Sequence, residues 1–318
     1  MKYRSTIVYL VAAIILVGLY IYETRTEKKE GEAREEAKQI FQIGANRLDS
    51  ITLIRDKQII KLEKSGVTDQ QKWEITAPIH TETEKFLVVR ITNKLAKLKY
   101  SRIISENAED LTQFGLNKPA FTISYTSGKG DGALSFGFRS PIEDGFYAGE
   151  GKGKKVYLIT ISDKELLDKT LFDLRDKRLF TFDTDRVNRM VIDRESEKWT
   201  LFKKEGRWFF EGDEGLKIDR DRMESAIRRI IWEEASSFEK ETADDLKTYC
   251  LDRPKACIIL SDGKKSEELI LGGHVRDDKK DEIYAKMRGR PQIVTVRSRF
   301  LEDLPKTKDE IKENEYKP

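Results

Sequence analysis

The chain has 318 residues, enough for two domains with a core apiece. Apolar residues make up 38% and charged residues 37%, and the apolar ones recur throughout, which excludes a disordered body. Lysine and arginine number 60 against 57 acids, a formal +3, so no broad cationic field exists and nucleic acid is not an expected partner. Acids and bases alternate in stretches such as 234–247 and 276–282, the pattern of a solvated surface.

Residues 6–22, TIVYLVAAIILVGLYIY, carry no charge. At ~1.5 Å per helical residue this run is near the lower limit for a bilayer core. Tyr3, Tyr20 and Tyr22 suit the two headgroup interfaces. Lys2 and Arg4 would also suit a cleaved signal peptide, but no small-residue cleavage site follows Gly18. Residues 1–22 therefore read as a cytoplasmic tip and an uncleaved transmembrane signal anchor. Lys2, Arg4 and the amino terminus favour an inside N-terminus. Arg25, Lys28, Lys29, Arg34 and Lys38 count the other way. The expectation is N-in, with the body outside the cytoplasm. Residues 23–47, rich in Glu, Lys, Arg and Ala, read as a charged helical stalk.

The body repeats itself. AEDLTQFGLNKPAFTI (108–123) aligns without a gap on ADDLKTYCLDRPKACI (243–258). The same shift pairs Trp73 with Trp208, Gly128 with Gly263, Leu134 with Leu269 and Gly137 with Gly272. The expected fold class is α+β: two tandem copies of a strand-rich antiparallel domain behind one N-terminal transmembrane helix. The first copy spans 48–174, a linker 175–186, the second copy 187–304, and a charged disordered tail 305–318.

Alternation over 50–63 predicts a hairpin, followed by a strand carrying Trp73 and Ile75; residues 190–210, with Trp199 and Trp208, are the counterpart. Phe86, Val89, Ile91, Leu95 and Leu98 predict a helix, with Thr81 and Glu84 as its capping box. Asp219 caps the matching helix of Met223, Ile227, Ile230 and Ile231. Beyond the Leu-x-x-Phe-Gly-Leu-x-x-Pro turn lie a strand at 120–126, a Gly-rich reversal at 127–132, strands near 146–148 and 156–159, and a helix at 163–171. Residues 299–304 read as a shortened counterpart of that helix.

No catalytic, cofactor-binding or metal-binding constellation stands out. Gly149 to Lys155 lacks the GK[ST] ending of a phosphate loop and reads as a hairpin turn, as does the stretch from Gly128 to Gly132. His80 and His274 are far apart in sequence and lack zinc spacing. Cys250 and Cys257 read as buried thiols, with a single bridge as the alternative. Asp183 and Asp185 read as linker acids. Trp73 and Trp208, at equivalent positions, read as core anchors rather than sugar platforms.

The anchor, the Trp-containing hairpin, DLTQFGLNKP and LFDLRDKRLF (171–180) together resemble the bacterial domain of unknown function 4340 family over about residues 48–304. That resemblance implies association with ABC-type transporters, including those linked to gliding motility and to export of surface material. It supplies no catalytic residues. In Cys250 the chain departs from Gly115 of the first copy. The implied function is a non-enzymatic, extracytoplasmic accessory or scaffold subunit of a membrane transport complex. It would be held in the bacterial inner membrane through residues 6–22, with the body periplasmic and with protein partners in the complex. A binding module for an envelope polymer or lipid is the alternative class, and an envelope hydrolase with an unrecognised acid pair a third.

Overall fold

The computed structural model describes residues 3–66, 71–151, 153–194, 197–275, 281–305 and 307–313, without the side chains of residues 3–15, 18, 27, 29 and 32. The chain begins with one unbroken helix, α1 (Tyr3–Ala37). Strong helix formers follow Tyr22, so nothing interrupts the helix where anchor and stalk were divided. Among the described residues no helix is long and apolar enough to cross a membrane. Most side chains of the expected span 6–22 lie outside those residues.

The stalk is shorter than the expected 23–47. From Lys38 onward the chain lies against the first sheet's own elements: Ile40 donates to the Leu98 carbonyl at 2.9 Å, and Phe41 is buried with its ring edge-on to Tyr125. Three apolar residues in four (Ile40, Phe41, Ile43) are too many for a solvated stalk.

The rest forms two compact units, residues 1–176 and 177–318, each an antiparallel sheet with helices, an α+β fold. In the first unit, strands β1 (Leu48–Arg55), β2 (Gln58–Ser65), β3 (Lys72–Ala77) and β4 (Thr81–Glu82) precede helix α2 (Lys85–Ala96). Then come β5 (Arg102–Ser105), β6 (Phe121–Ser127), β7 (Gly130–Arg139), β8 (Phe146–Glu150), β9 (Val156–Ile159), α3 (Ile161–Leu167) and α4 (Leu171–Leu174). The sheet order is β4-β3-β2-β1-β6-β7-β8-β9-β5. The second unit runs β10 (Arg189–Arg194), β11 (Lys198–Lys204), β12 (Arg207–Phe210), α5 (Arg220–Trp232), β13 (Ser237–Lys240), β14 (Ala256–Ser261), β15 (Ser266–His274), β16 (Glu282–Met287), β17 (Ile293–Arg297) and α6 (Ser298–Asp303). Its order is β12-β11-β10-β14-β15-β16-β17-β13, the same path with no counterpart of β4 among the described residues.

Registers agree as well as order. β5 meets β9 through Arg102 and Leu158, β13 meets β17 through Ser237 and Thr295, and both ladders shift register after the next pair. β7–β8 shifts between Phe136 and Arg139, and β15–β16 shifts between Leu271 and His274. Helix α2 buries Val88, Ile91, Thr92, Leu95 and Ala96; α5 buries Met223, Ala226, Ile227, Ile230 and Ile231, the same five positions. Each set is an i, i+3, i+4, i+7, i+8 stripe facing one core.

The repeated turn owes its sequence to the register shift in the sheet. Gly137 and Gly272 sit there, and a Cβ on either would lie 2.0 Å from the Phe114 carbonyl oxygen or 2.2 Å from that of Tyr249. Only glycine lets the turn's backbone press on the strand this closely. Phe114 then packs edge-on to Tyr147 at 5.0 Å, and Tyr249 on Tyr284 at 4.8 Å. Asp110 accepts from the Thr112 N–H at 2.7 Å and Asp245 from the Lys247 N–H at 2.9 Å. Hydrogen bonds from Thr112 and Thr248, side chain first, hold these two carboxyls below their usual range.

Several local expectations are corrected. Glu84 alone caps α2, accepting from the Phe86 and Leu87 N–H groups, while Thr81 belongs to β4 and makes no capping box. Phe86 and Val89 face solvent, because the Val88–Ile91–Leu95 stripe takes the core side. Asp219 caps α5 as expected. The helix expected at 163–171 is two helices, since Thr160 caps α3 earlier and Thr170 opens a fresh capping box for α4. Edge strands β5 and β13 were not expected.

The expected linker 175–186 is largely packed: Leu179, Phe180 and Phe182 enter the second core. Nor is 305–318 a disordered tail as far as it is described. Ile311 is buried in the same core, and Asp219 donates to its carbonyl at 2.8 Å, as Glu84 does to Leu174. Ile218 bridges Lys312 just as Thr83 bridges Arg175. Residues 307–313 thus repeat 170–176, so the expected ends at 174 and 304 fall short. One isoleucine amid charges anchors the segment. Residues 314–318 lie outside the described residues.

Candidate functional site at an open sheet edge

Most of the residues singled out in the sequence stay apart. His80 is exposed, its Nε2 3.8 Å from a Glu74 carboxylate oxygen, and His274 ends β15 in the other unit. Among the described residues no group of three or more His, Cys, Asp or Glu is placed to hold a metal. Asp183 pairs with Arg186 at 3.4 Å beside Asp185 in a single 3-10 turn. Strand β8 pairs antiparallel with β9, residue 152 of the 149–155 stretch lying outside the described residues, and residues 127–130 join β6 to β7. Both cysteines are free; Cys250 is exposed, not buried, and Cys257 is half-buried, with burial pushing its thiol up. Trp199 and Trp208 are core residues, whereas Trp73 is half-buried.

A cavity of about 490 Å³ between α5 and the C-terminal segment gathers Asp221, Asp303 and Glu310 with Arg222 and Arg229. All three acids are exposed, and Asp303 pairs with Arg299 at 3.5 Å.

The edge of each sheet next to the core helix sets the two units apart. In the first, β4 pairs with β3 through Glu74 with Glu82 and Ile75 with Thr81. Thr83 adds a bond from Oγ1 to the Trp73 carbonyl oxygen at 2.8 Å, and Glu82 lies 3.6 Å from Lys72 Nζ. In the second unit the connection has the same length, but its chain bows away from β12. A groove of about 450 Å³ opens there, walled by residues 206–209 on one side and by Glu214, Leu216, Lys217 and Ile218 on the other. Arg220 and Glu313 complete its lining.

The sequence explains the difference. At the constant shift of 135 residues, Arg207 takes the place of Lys72, Lys217 that of Glu82, and Ile218 that of Thr83. An opposite-charge pair becomes a like-charge pair, and the hydroxyl donor is lost. Cross-strand like charges disfavour pairing, and isoleucine cannot bond to a strand carbonyl. The backbone of β12 is left with an outward face. Glu211 donates to the Thr200 carbonyl at 2.9 Å, so the alternating ladder turns the N–H and C=O of Phe209 toward β11 and those of Trp208 away from it. Phe210 also faces outward, and its carbonyl accepts from Asp213. Among the described residues, neither Arg207 nor Lys217 has an ion-pair partner. The sequence held this signal in the Glu82-to-Lys217 exchange, visible once the copies are aligned.

The family described as Domain of unknown function (DUF4340) matches the chain over residues 73–230 and again over 208–316. This chain belongs to the DUF4340 family. The two DUF4340 matches begin at Trp73 and at Trp208, equivalent positions in the two sheets. No curated protein matches the chain, and no solved structure does.

Proposed function

We propose that the two units are copies of one DUF4340 domain. On this reading the chain is a non-enzymatic accessory or scaffold subunit of a membrane transport complex, tethered by residues 6–22 with its body outside the cytoplasm. The observation that carries it is the contrast of edges: one copy closes its β3 edge with its own chain, and among the described residues the other leaves β12 open beside a groove. An unpaired strand edge is a template for another polypeptide. The long α1 supports the tether, since it joins the uncharged run to the body without a break. A polymer-binding reading would want a row of aromatics on one sheet face. Among the described residues the well-exposed aromatics outside α1, Phe86, Phe138 and Trp232, are instead scattered over two helices and one strand.

Tethering raises the effective concentration of the body at the membrane. Removing residues 1–37 and exporting 38–318 as a soluble protein, in a strain lacking the full chain, should leave transport impaired at native expression. Complete rescue would refute the tether. Copurification from detergent extracts of the intact chain should yield transporter subunits in fixed ratio; their absence would refute the accessory role.

A further inference from the structure

We propose that the groove along β12 takes a short, extended, acidic segment of a partner protein, which adds a strand to the second sheet in the place that β4 fills in the first. The inference rests on the partner-holding reading above and names the partner's chemistry at that site.

The first unit shows the bound form. There the edge is occupied by Thr81–Glu82, followed by Thr83, whose hydroxyl reaches the Trp73 carbonyl. Glu82 lies beside Lys72. In the second unit the receiving strand is intact: Trp208 is the counterpart of Trp73, with its backbone N–H and C=O turned outward. Across the groove Arg207 and Lys217 put two bases where the first unit has the base Lys72 and the acid Glu82. Arg207 stands on the strand side and Lys217 on the opposite side, both exposed. A carboxylate on a strand added against β12, facing Arg207 as Glu82 faces Lys72, would meet both cations and offset their like charge. The carboxylates Glu214 and Glu313 also line the groove, while Arg220, the third cation, is already paired with Glu224 at 2.7 Å. Strand addition takes its affinity from main-chain hydrogen bonds and its selectivity from side-chain pockets. Here the selectivity would come from Arg207 and Lys217. A basic segment would meet them with like charge and be refused.

The probe is a capped peptide copying residues 79–84 (IHTETE), with a charge-reversed version, IHTKTK, as its rival. Both are offered to the intact detergent-solubilised chain, and amide exchange is followed on the fragment containing Trp208. The acidic peptide should bind and slow exchange there several-fold, and the basic one should bind at least ~10-fold more weakly. The double variant Arg207→Glu with Lys217→Glu keeps the walls alike in charge, so the groove stays open while its preference reverses to the basic peptide. That reversal is a readout that misfolding cannot produce. Failure of the acidic peptide to bind, or binding indifferent to the double variant, overturns the proposal. Protection that grows with protein concentration alone would assign the edge to a second copy. Tighter peptide binding after deletion of residues 314–318 would assign it to the chain's own end. Either result overturns a partner segment as occupant. No transporter enters this experiment, so its failure leaves the tether and copurification tests standing, and theirs leaves it standing.

Discussion

The two units are alike where they pack and unlike where they meet solvent. The five buried positions of α2 recur in α5, and both bulge glycines stay glycine under the carbonyl of an aromatic residue. One interior difference is compensated within its own unit. Gly115 is left-handed (φ 72°) and lies under Phe138, so that a Cβ on it would sit 2.8 Å from the ring. In the second unit Cys250 holds the same left-handed turn (φ 54°), and Gly273 replaces the phenylalanine; a Cβ on Gly273 would meet Cys250 Sγ at 3.1 Å. A side chain has moved from one wall of the contact to the other. The exchange of Glu82 for Lys217 has no such compensation, and the edge opens. Interiors preserve volume because close packing penalises both voids and overlap. An exposed edge carries little such penalty and is free to diverge.

The comparison breaks most visibly at the tryptophans. Trp208 is buried in the second core, and its truncation to alanine should cost roughly 3–5 kcal/mol, as large aromatic truncations do. Trp73, at the equivalent place, is only half-buried, with Lys64 Nζ 5.5 Å from its ring centroid. Trp73→Ala should cost less than half as much. Denaturant melts of the two variants, with amide exchange assigning each transition to its unit, measure the gap. Equal losses would mean that the two positions are energetically equivalent despite their exposure.

Much of this architecture was legible because repetition doubled every weak signal. The hairpins, both core helices and the glycine-bearing turns follow from alternation, helical spacing and a shared register. Strands β5 and β13 escaped because each is four residues long and pairs on one side only, with β9 or β17. The role of residues 307–313 escaped because a single apolar residue, Ile311, holds a charged stretch in place. Burial by one side chain leaves no period to detect. The groove escaped for another reason. It arises from a strand that fails to pair, and a pairing failure shows in sequence only against a copy that pairs.

A smaller effect tests the exchanged contact. An L-residue in the left-handed region costs about 1–2 kcal/mol relative to glycine. Cys250→Gly should therefore stabilise the second unit by about 1 kcal/mol, since Gly273 leaves its neighbourhood open. Gly115→Cys should do the opposite, and more strongly, because Phe138 already fills the space. Adding Phe138→Gly to Gly115→Cys should recover part of that loss, giving a coupling energy between the two sites in a double-mutant cycle. Strict additivity would show that the two walls do not share one volume.

The smallest expected change bears on the groove itself. Lys217→Glu with Ile218→Thr gives the second unit the side chains that close the first, setting a carboxylate against Arg207 and restoring a hydroxyl within reach of the Trp208 carbonyl. The ion pair is exposed in the first unit, with Lys72 and Glu82 both more than half accessible, so its return is worth only ~0–1 kcal/mol, and a melt would chiefly register the trimming of the buried Ile218 side chain. Amide exchange at the edge is the sensitive readout. Trp208 and Phe210 turn their N–H groups away from β11, so closing the connection onto β12 should slow their exchange several-fold without altering the central strands. The converse pair, Glu82→Lys with Thr83→Ile, should loosen β4 and speed exchange at Ile75 in β3. Should the second unit's edge keep its exchange rates with the first unit's side chains in place, charge and hydroxyl are not what hold it open. The cause would then lie in the backbone course of residues 211–215, whose Phe210–Asp213 bridge the first unit lacks among its described residues.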